Sequence, residues 1–169
     1  MFVSENPNED DDLAGRTFDG QPGKLFDFFI DDLALEAWYV TNIVMCKPNG
    51  KEKPKAEHWN ACKERLLHEI RIIDPVIIVA MGGLAIKALI GGTQTSVVKA
   101  RKQIHTIDVP GELVSYMKPV VATYHPAGVQ RKAQINPGSI FEAMMRTMIE
   151  AKQVAYLWLK FAAKKNKKG

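Results

Sequence analysis

Asn42 lies among Tyr39, Val40, Ile43, Val44 and Met45. A buried amide costs free energy unless its donors and its acceptor are paired. Two readings follow. Asn42 is a structural residue bonded to backbone, or it is reserved for a ligand offering one donor and one acceptor, such as a base edge. His125 follows Val120-Val121-Ala122-Thr123-Tyr124 and precedes Pro126. It is a satisfied structural group, or an imidazole that hydrogen-bonds an oxygen gaining negative charge as a bond breaks, without full proton transfer. Glu5 and Asn6, with Pro7 after them, suit a turn. In the functional reading this carboxylate and amide position a water and favour a developing positive charge.

Other chemistries find less support. Glu9, Asp10, Asp11 and Asp12 are adjacent and lack the spacing of a cation loop. Gly82-Gly83 opens a helix after a strand without completing a dinucleotide fingerprint or a phosphate loop. There is no Gly-x-Ser-x-Gly elbow, and neither Cys46 nor Cys62 has a base nearby in sequence, which argues against nucleophilic catalysis.

Strands and helices must bring these groups together. Four short, nearly continuous apolar runs, 1–4, 38–44, 76–81 and 119–124, read as strands covered on both faces. Helical periodicity lies between and after them, over 22–35, 57–73 and 84–90 and from Ser139 onward. Strand–helix alternation predicts an α/β fold, a three-layer αβα arrangement around a central, mostly parallel four-stranded sheet. The stretch 99–118 holds a hairpin or an extra strand. In such sheets ligands sit at the carboxyl ends of the strands, where Glu5-Asn6, Asn42, Gly82-Gly83 and His125 all fall. The expected domain covers 1–150, and 151–169 carries the end of the last helix and a basic tail.

Composition narrows the class. The chain has 169 residues, 46% hydrophobic and 25% charged, so a folded core is available and disorder throughout is excluded. No apolar run approaches the roughly 20 residues that span a bilayer. Residues 1–12 turn acidic without a signal-peptide core, and two cysteines make no disulfide framework, so a reduced cytoplasmic monomer with no membrane contact is expected. The net charge of +4 fits contact with a polyanion. Lys160, Lys164, Lys165, Lys167 and Lys168 form either a solvated terminus or a DNA-holding tail.

Three segments in order resemble the uracil-DNA glycosylase superfamily, most closely its iron–sulfur (family 4) branch. The first is Ser4-Glu5-Asn6-Pro7-Asn8, a short acidic stretch, then Gly15-Arg16-Thr17-Phe18-Asp19-Gly20-Gln21-Pro22-Gly23. The second is Tyr39-Val40-Thr41-Asn42-Ile43-Val44-Met45-Cys46-Lys47-Pro48. The third is Thr123-Tyr124-His125-Pro126-Ala127, with Arg131 closing it. The resemblance implies a DNA repair enzyme that hydrolyses the N-glycosidic bond of deoxyuridine, with uracil-containing DNA as its partner. Phe18 would stack on the extruded base, Asn42 would read its edge, and His125 would bind O2. Glu5 matches the family's carboxylate, Asn6 would share the attacking water with it, and Asn8 and Arg131 would contact substrate. The segment Gly128-Val129-Gln130 would wedge into the duplex.

The departures point to a second reading. Ser4 and Asn8 replace two glycines of the first motif, and Asn8 would crowd the pocket floor. Asp19 replaces an apolar residue. These favour a catalytically weak relative, of viral origin, that uses the same fold to hold DNA or a replication partner. The resemblance also implies a 4Fe-4S cluster held by four cysteines, two of them matching Cys46 and Cys62 as metal ligands. The family's other pair lies upstream of the first strand, where this chain begins. Either the protein is longer than this chain or the lineage has lost the cluster.

Overall fold

The computed structural model describes residues 1–50, 52–91, 96–133 and 138–166; the side chains of 132–133, 158 and 161–166 are outside that description. The tail lysines Lys164 and Lys165, as side chains, and Lys167 and Lys168 as a whole therefore lie outside the described residues.

The apolar runs become β1 (Phe2–Ser4), β2 (Val40–Asn42), β3 (Ile78–Met81) and β5 (Tyr116–Thr123). A further strand, β4 (His105–Val109), completes a five-stranded sheet of order β2-β1-β3-β5-β4. The expected four-stranded sheet is thus corrected to five, and the added strand lies within 99–118, the stretch expected to hold a hairpin or an extra strand. The first four strands run parallel, and β4 pairs antiparallel with β5 from His105↔Val120 to Val109↔Tyr116. The fifth strand is hard to read because it is a half-buried edge. Ile107 and Val109 point inward while Thr106 and Asp108 are exposed, and so few alternating residues give a weak period-two signal. Its partner starts three residues before the predicted run. Pro119 is tolerated in β5 because the β3 ladder begins only at Val120.

Alternation on the central strands divides the core into two layers. Ile78, Ala80, Val120 and Ala122 face one side, where they pack with Leu66 and Ile70 of α3 (Ala56–Ile73) and Ile86 of α4 (Gly83–Ile90). Val79, Met81 and Val121 face the other, against Phe26 and Phe29 of α2 (Gln21–Leu33) and Met144 and Met148 of α7 (Ser139–Asn166). Because both faces are covered, these strands read as continuous apolar runs. A single-turn helix, α5 (Val97–Ala100), leads into β4.

Three helices are absent from the sequence expectation. Besides α5, the acidic run folds as α1 (Glu9–Ala14), and α6 (Pro126–Ala133) begins directly after His125. Pro suits the first helical position, where its missing N–H costs nothing. The segment expected to form a wedge loop is therefore helical, and Val129 is buried in the core rather than presented outward. Among the described residues no helix is long and apolar enough to cross a membrane.

Ile78, fully buried at the centre of β3, has no room to be shortened without leaving a void. Ile78→Ala should lower unfolding stability by about 2–5 kcal/mol, read as a shift of the urea midpoint at unchanged slope.

Candidate active site

The parallel strands end on one rim. Register pairs Ser4 with Asn42 and Met81 with Thr123, so Ser4, Asn42, Gly82 and His125 arrive side by side. The chain order reverses here: β2 lies on one side of β1 and β3 on the other, which makes the gap between β1 and β3 the switch point where such sheets bind ligands. Glu5 and Gly82 flank that gap. Gly82 has φ +92°, and a Cβ there would meet Glu5 Oε1 at 2.7 Å and His125 Cβ at 3.2 Å. Only a residue without a side chain lets the carboxylate and the imidazole approach from both sides.

A cavity of about 120 Å³ opens beside this rim, lined among others by Ser4, Asn6, Asn8, Phe18, Asn42 and His125. It is far below the roughly 300–1,000 Å³ of pockets that hold drug-sized ligands, so it suits one ring of a larger molecule. A roomier cavity of about 510 Å³ lies at the opposite end of the sheet, among Met1, Phe2, Leu33, Trp38, Ile77 and Met148. Its walls are mainly apolar, and its Lys152 already donates to Leu33 O at 2.5 Å, so the small cavity has the stronger claim to chemistry.

Asn42 is 1% exposed, and its Nδ2 is buried without a hydrogen-bond partner among the described residues. The backbone that carries it is held firmly. Arg65 of α3 donates from Nη2 to Asn42 O at 2.5 Å and from Nη1 to Thr41 Oγ1 at 3.2 Å and Glu69 Oε1 at 2.5 Å. The backbone is fixed in place while the amide donor stays unspent among the described residues.

His125 is fixed from both ring nitrogens. Ala127 N–H donates to Nδ1 at 3.1 Å, so the ring proton resides on Nε2, which lies 2.8 Å from Ser4 Oγ. Burial lowers its pKa to about 4, the Arg131 cation adds to that shift, and Asp11 opposes it. The imidazole is neutral at physiological pH, a hydrogen-bond donor rather than an acid. Phe18 lies against it, ring centroids 5.8 Å apart, and stacks on Phe26 at 4.7 Å.

Phe18 itself sits at φ +63°, a conformation that costs a non-glycine residue about 1 kcal/mol or more and persists only when its surroundings impose it. Two features do so. A Cβ on Gly23 would collide with the Phe18 carbonyl, so the chain closes over a glycine there. Asp11, 7% exposed, accepts Asp19 N–H on Oδ1 at 2.8 Å. Its Oδ2 accepts Asn8 N–H at 3.0 Å, and Asn8 Oδ1 accepts Asp11 N–H at 3.0 Å, a capping box at the start of α1. The acidic run is thus a helix that anchors the aromatic loop.

The remaining candidates fall as follows. Asn8 lines the cavity, but its Oδ1 is committed to the cap. Asn6 lines it with Nδ2 bonded to Pro7 O at 2.8 Å. Glu5 stands outside the cavity lining, with Oε1 accepting Leu84 N–H at 3.3 Å in the first turn of α4. Arg131 is exposed on α6, away from the cavity wall. Cys46 is exposed and Cys62 half-buried, both free thiols. Among the described residues no three His, Cys, Asp or Glu side chains gather as a metal site. Two thiolates do not complete a four-thiolate cluster, so the cysteines of this chain alone do not fit one. Sequence reasoning missed Asp11 and Arg65. Asn8-x-x-Asp11 is a cap spacing and Arg65 with Glu69 an i,i+4 pair, and both patterns were open to reading.

Asp11→Ala removes the cap and the Asp19 anchor together. It should lower stability by about 1–2 kcal/mol and speed hydrogen exchange at the Asp19 amide; unchanged exchange there would contradict the anchoring role. His125 generates a pH dependence. The folded chain keeps it neutral down to about pH 4, whereas an unfolded chain protonates it near 6.5. The unfolded state therefore binds more protons in this window, and stability falls as pH is lowered from 6.5 to 4, by roughly 3 kcal/mol from this group. Urea denaturation across that range should show the fall, and His125→Asn should flatten it.

Comparison with known proteins agrees with this geometry. Residues 1–149 match the Uracil DNA glycosylase superfamily. The type-4 uracil-DNA glycosylase of Thermotoga maritima is 35% identical over 133 residues, covering 78% of this chain and 66% of that protein. Those of Archaeoglobus fulgidus and Pyrobaculum aerophilum are 29% and 32% identical, covering 80% and 78% of this chain and 68% of each relative. The chain thus spans about two thirds of the length of these curated relatives. A match of this extent, over the same strands that carry the rim, means that the chain belongs to the uracil-DNA glycosylase superfamily.

Proposed function

We propose that the chain hydrolyses the N-glycosidic bond of deoxyuridine in DNA, acting as a monomer, releasing uracil and leaving an abasic site. The observation that carries the reading is Asn42, which lines a ring-sized cavity and whose buried Nδ2 has no partner among the described residues. Uracil offers an acceptor at O4 and a donor at N3, which an amide in this orientation satisfies with Nδ2 and Oδ1. Cytosine presents the reverse pattern, leaving buried groups unpaired and penalising the wrong base. The cavity is too small for a nucleotide, so the base must leave the stack, a cost of a few kcal/mol that pocket contacts offset. Phe18 provides the stacking face.

Bond cleavage follows from the same groups. As the C1′–N1 bond breaks, its electron pair stays with the ring and charge collects on O2. The neutral His125 side of the cavity stabilises that anion by hydrogen bonding. Glu5, with Asn6 beside it, holds the water whose oxygen joins C1′, and the carboxylate's negative charge favours the cationic sugar. The proton that the water sheds passes by way of Glu5 to solvent, and the released uracil anion takes up a proton from solvent. Arg131, exposed on α6, meets the DNA backbone. The type-4 name of the relatives supports this assignment, and Cys46 and Cys62 match two cluster ligands of that branch.

One observation favours a second reading, a DNA-holding module of low activity: Asn8, which stands where the resembled family has glycine, lines the small cavity. A labelled oligonucleotide carrying uracil opposite guanine, opposite adenine or unpaired, followed by alkaline cleavage, separates the two. Strand scission supports the glycosylase, and its absence at high protein concentration supports the module. Asn42→Ala should slow uracil release roughly 100-fold, near 3 kcal/mol of lost recognition, while DNA affinity changes little. Equal losses in both would show that Asn42 is structural.

A further inference from the structure

We infer that the Ser4 hydroxyl is the donor that meets uracil O2, with His125 acting through it. The inference rests on the uracil-releasing reading and names a catalytic residue within it. Ser4 closes β1 in register with Asn42, is 1% exposed and lines the same cavity. Three hydrogen positions follow from two distances. Ala127 N–H occupies His125 Nδ1, so the ring proton is on Nε2. Nε2–H then donates to Ser4 Oγ at 2.8 Å. The Ser4 oxygen acts as acceptor in that bond and keeps its own proton, for which no acceptor stands among the described residues. The cavity that Ser4 lines is the outlet for that proton.

The result is a chain, Nε2–H to Oγ and Oγ–H to O2. Each bond polarises the next in a water-poor site. No proton transfer is needed. The C1′–N1 pair stays on the departing ring, Oγ–H and Nε2–H remain bonded to their own atoms, and the anion leaves with its charge spread along the chain. The opposite arrangement, with O2 displacing Ser4 from Nε2, would strand a buried hydroxyl oxygen that has lost its donor.

Single-turnover uracil release from a single-stranded oligonucleotide tests the inference on the wild type, Ser4→Ala, Ser4→Gly, His125→Ala and the Ser4→Ala/His125→Ala double variant. Both Ser4 variants should slow release roughly 100-fold, as loss of one donor to a developing oxyanion does, with oligonucleotide affinity within about 3-fold. The double variant should be no more than about 3-fold slower than His125→Ala, because the two residues act as one unit. A Ser4→Gly protein as fast as wild type, or losses that multiply, overturns it. If the wild type releases no uracil, the functional reading fails separately, and NMR with free uracil still decides for Ser4. His125 side-chain shifts in wild type that vanish in Ser4→Ala support the hydroxyl as the contact; shifts that persist in Ser4→Ala, or none in wild type, overturn it.

Discussion

A buried amide donor with no partner among the described residues is the constraint on which this site depends. Leaving Asn42 Nδ2 unpaired costs the folded chain about 1–3 kcal/mol. That cost is sustained by packing elsewhere, and by a helix that pins the strand end from behind. Arg65 holds the carbonyl of Asn42 and the hydroxyl of Thr41, and Glu69 holds Arg65. The strand end that carries the amide is therefore held in place. A ligand with an acceptor at the right place recovers what folding gave up, and this is how an energetic defect becomes selectivity.

The rest of the fold serves the same end. Parallel pairing brings Ser4, Asn42, Gly82 and His125 to one rim, and the change of direction at β1 opens the gap between them. Loops add what strands cannot. The aromatic ring of Phe18 comes from a strained residue held by Asp11 and by the glycine at 23. The imidazole is set by the first turn of α6, whose Ala127 N–H selects its tautomer. Burial then keeps it neutral, so in the proposed reading the imidazole acts as an oriented dipole. The groups at the rim are thus positioned by the secondary structure that carries them.

Much of this was legible in the residues. Continuous apolar runs marked the parallel strands because both faces are buried, and their polar ends marked the rim. Four features were harder to read. The edge strand β4 alternates over only five residues, too short a period to separate from loop. Helix α1 is built from acids whose helical signal is a cap rather than an apolar face, and the carboxylate that matters, Asp11, looks like its neighbours Asp10 and Asp12 in sequence. Val129 belongs to the core because α6 turns it inward, a consequence of tertiary packing that no local pattern carries. The contact between Ser4 and His125 spans 121 positions and needed the sheet register to appear.

The most direct test of the account is a high-resolution crystal structure of the protein soaked with free uracil. The account places the base in the small cavity over Phe18, with Asn42 Nδ2 about 3 Å from O4 and Oδ1 facing N3. Uracil bound elsewhere, or bound there with Asn42 Nδ2 still unpaired, would contradict it.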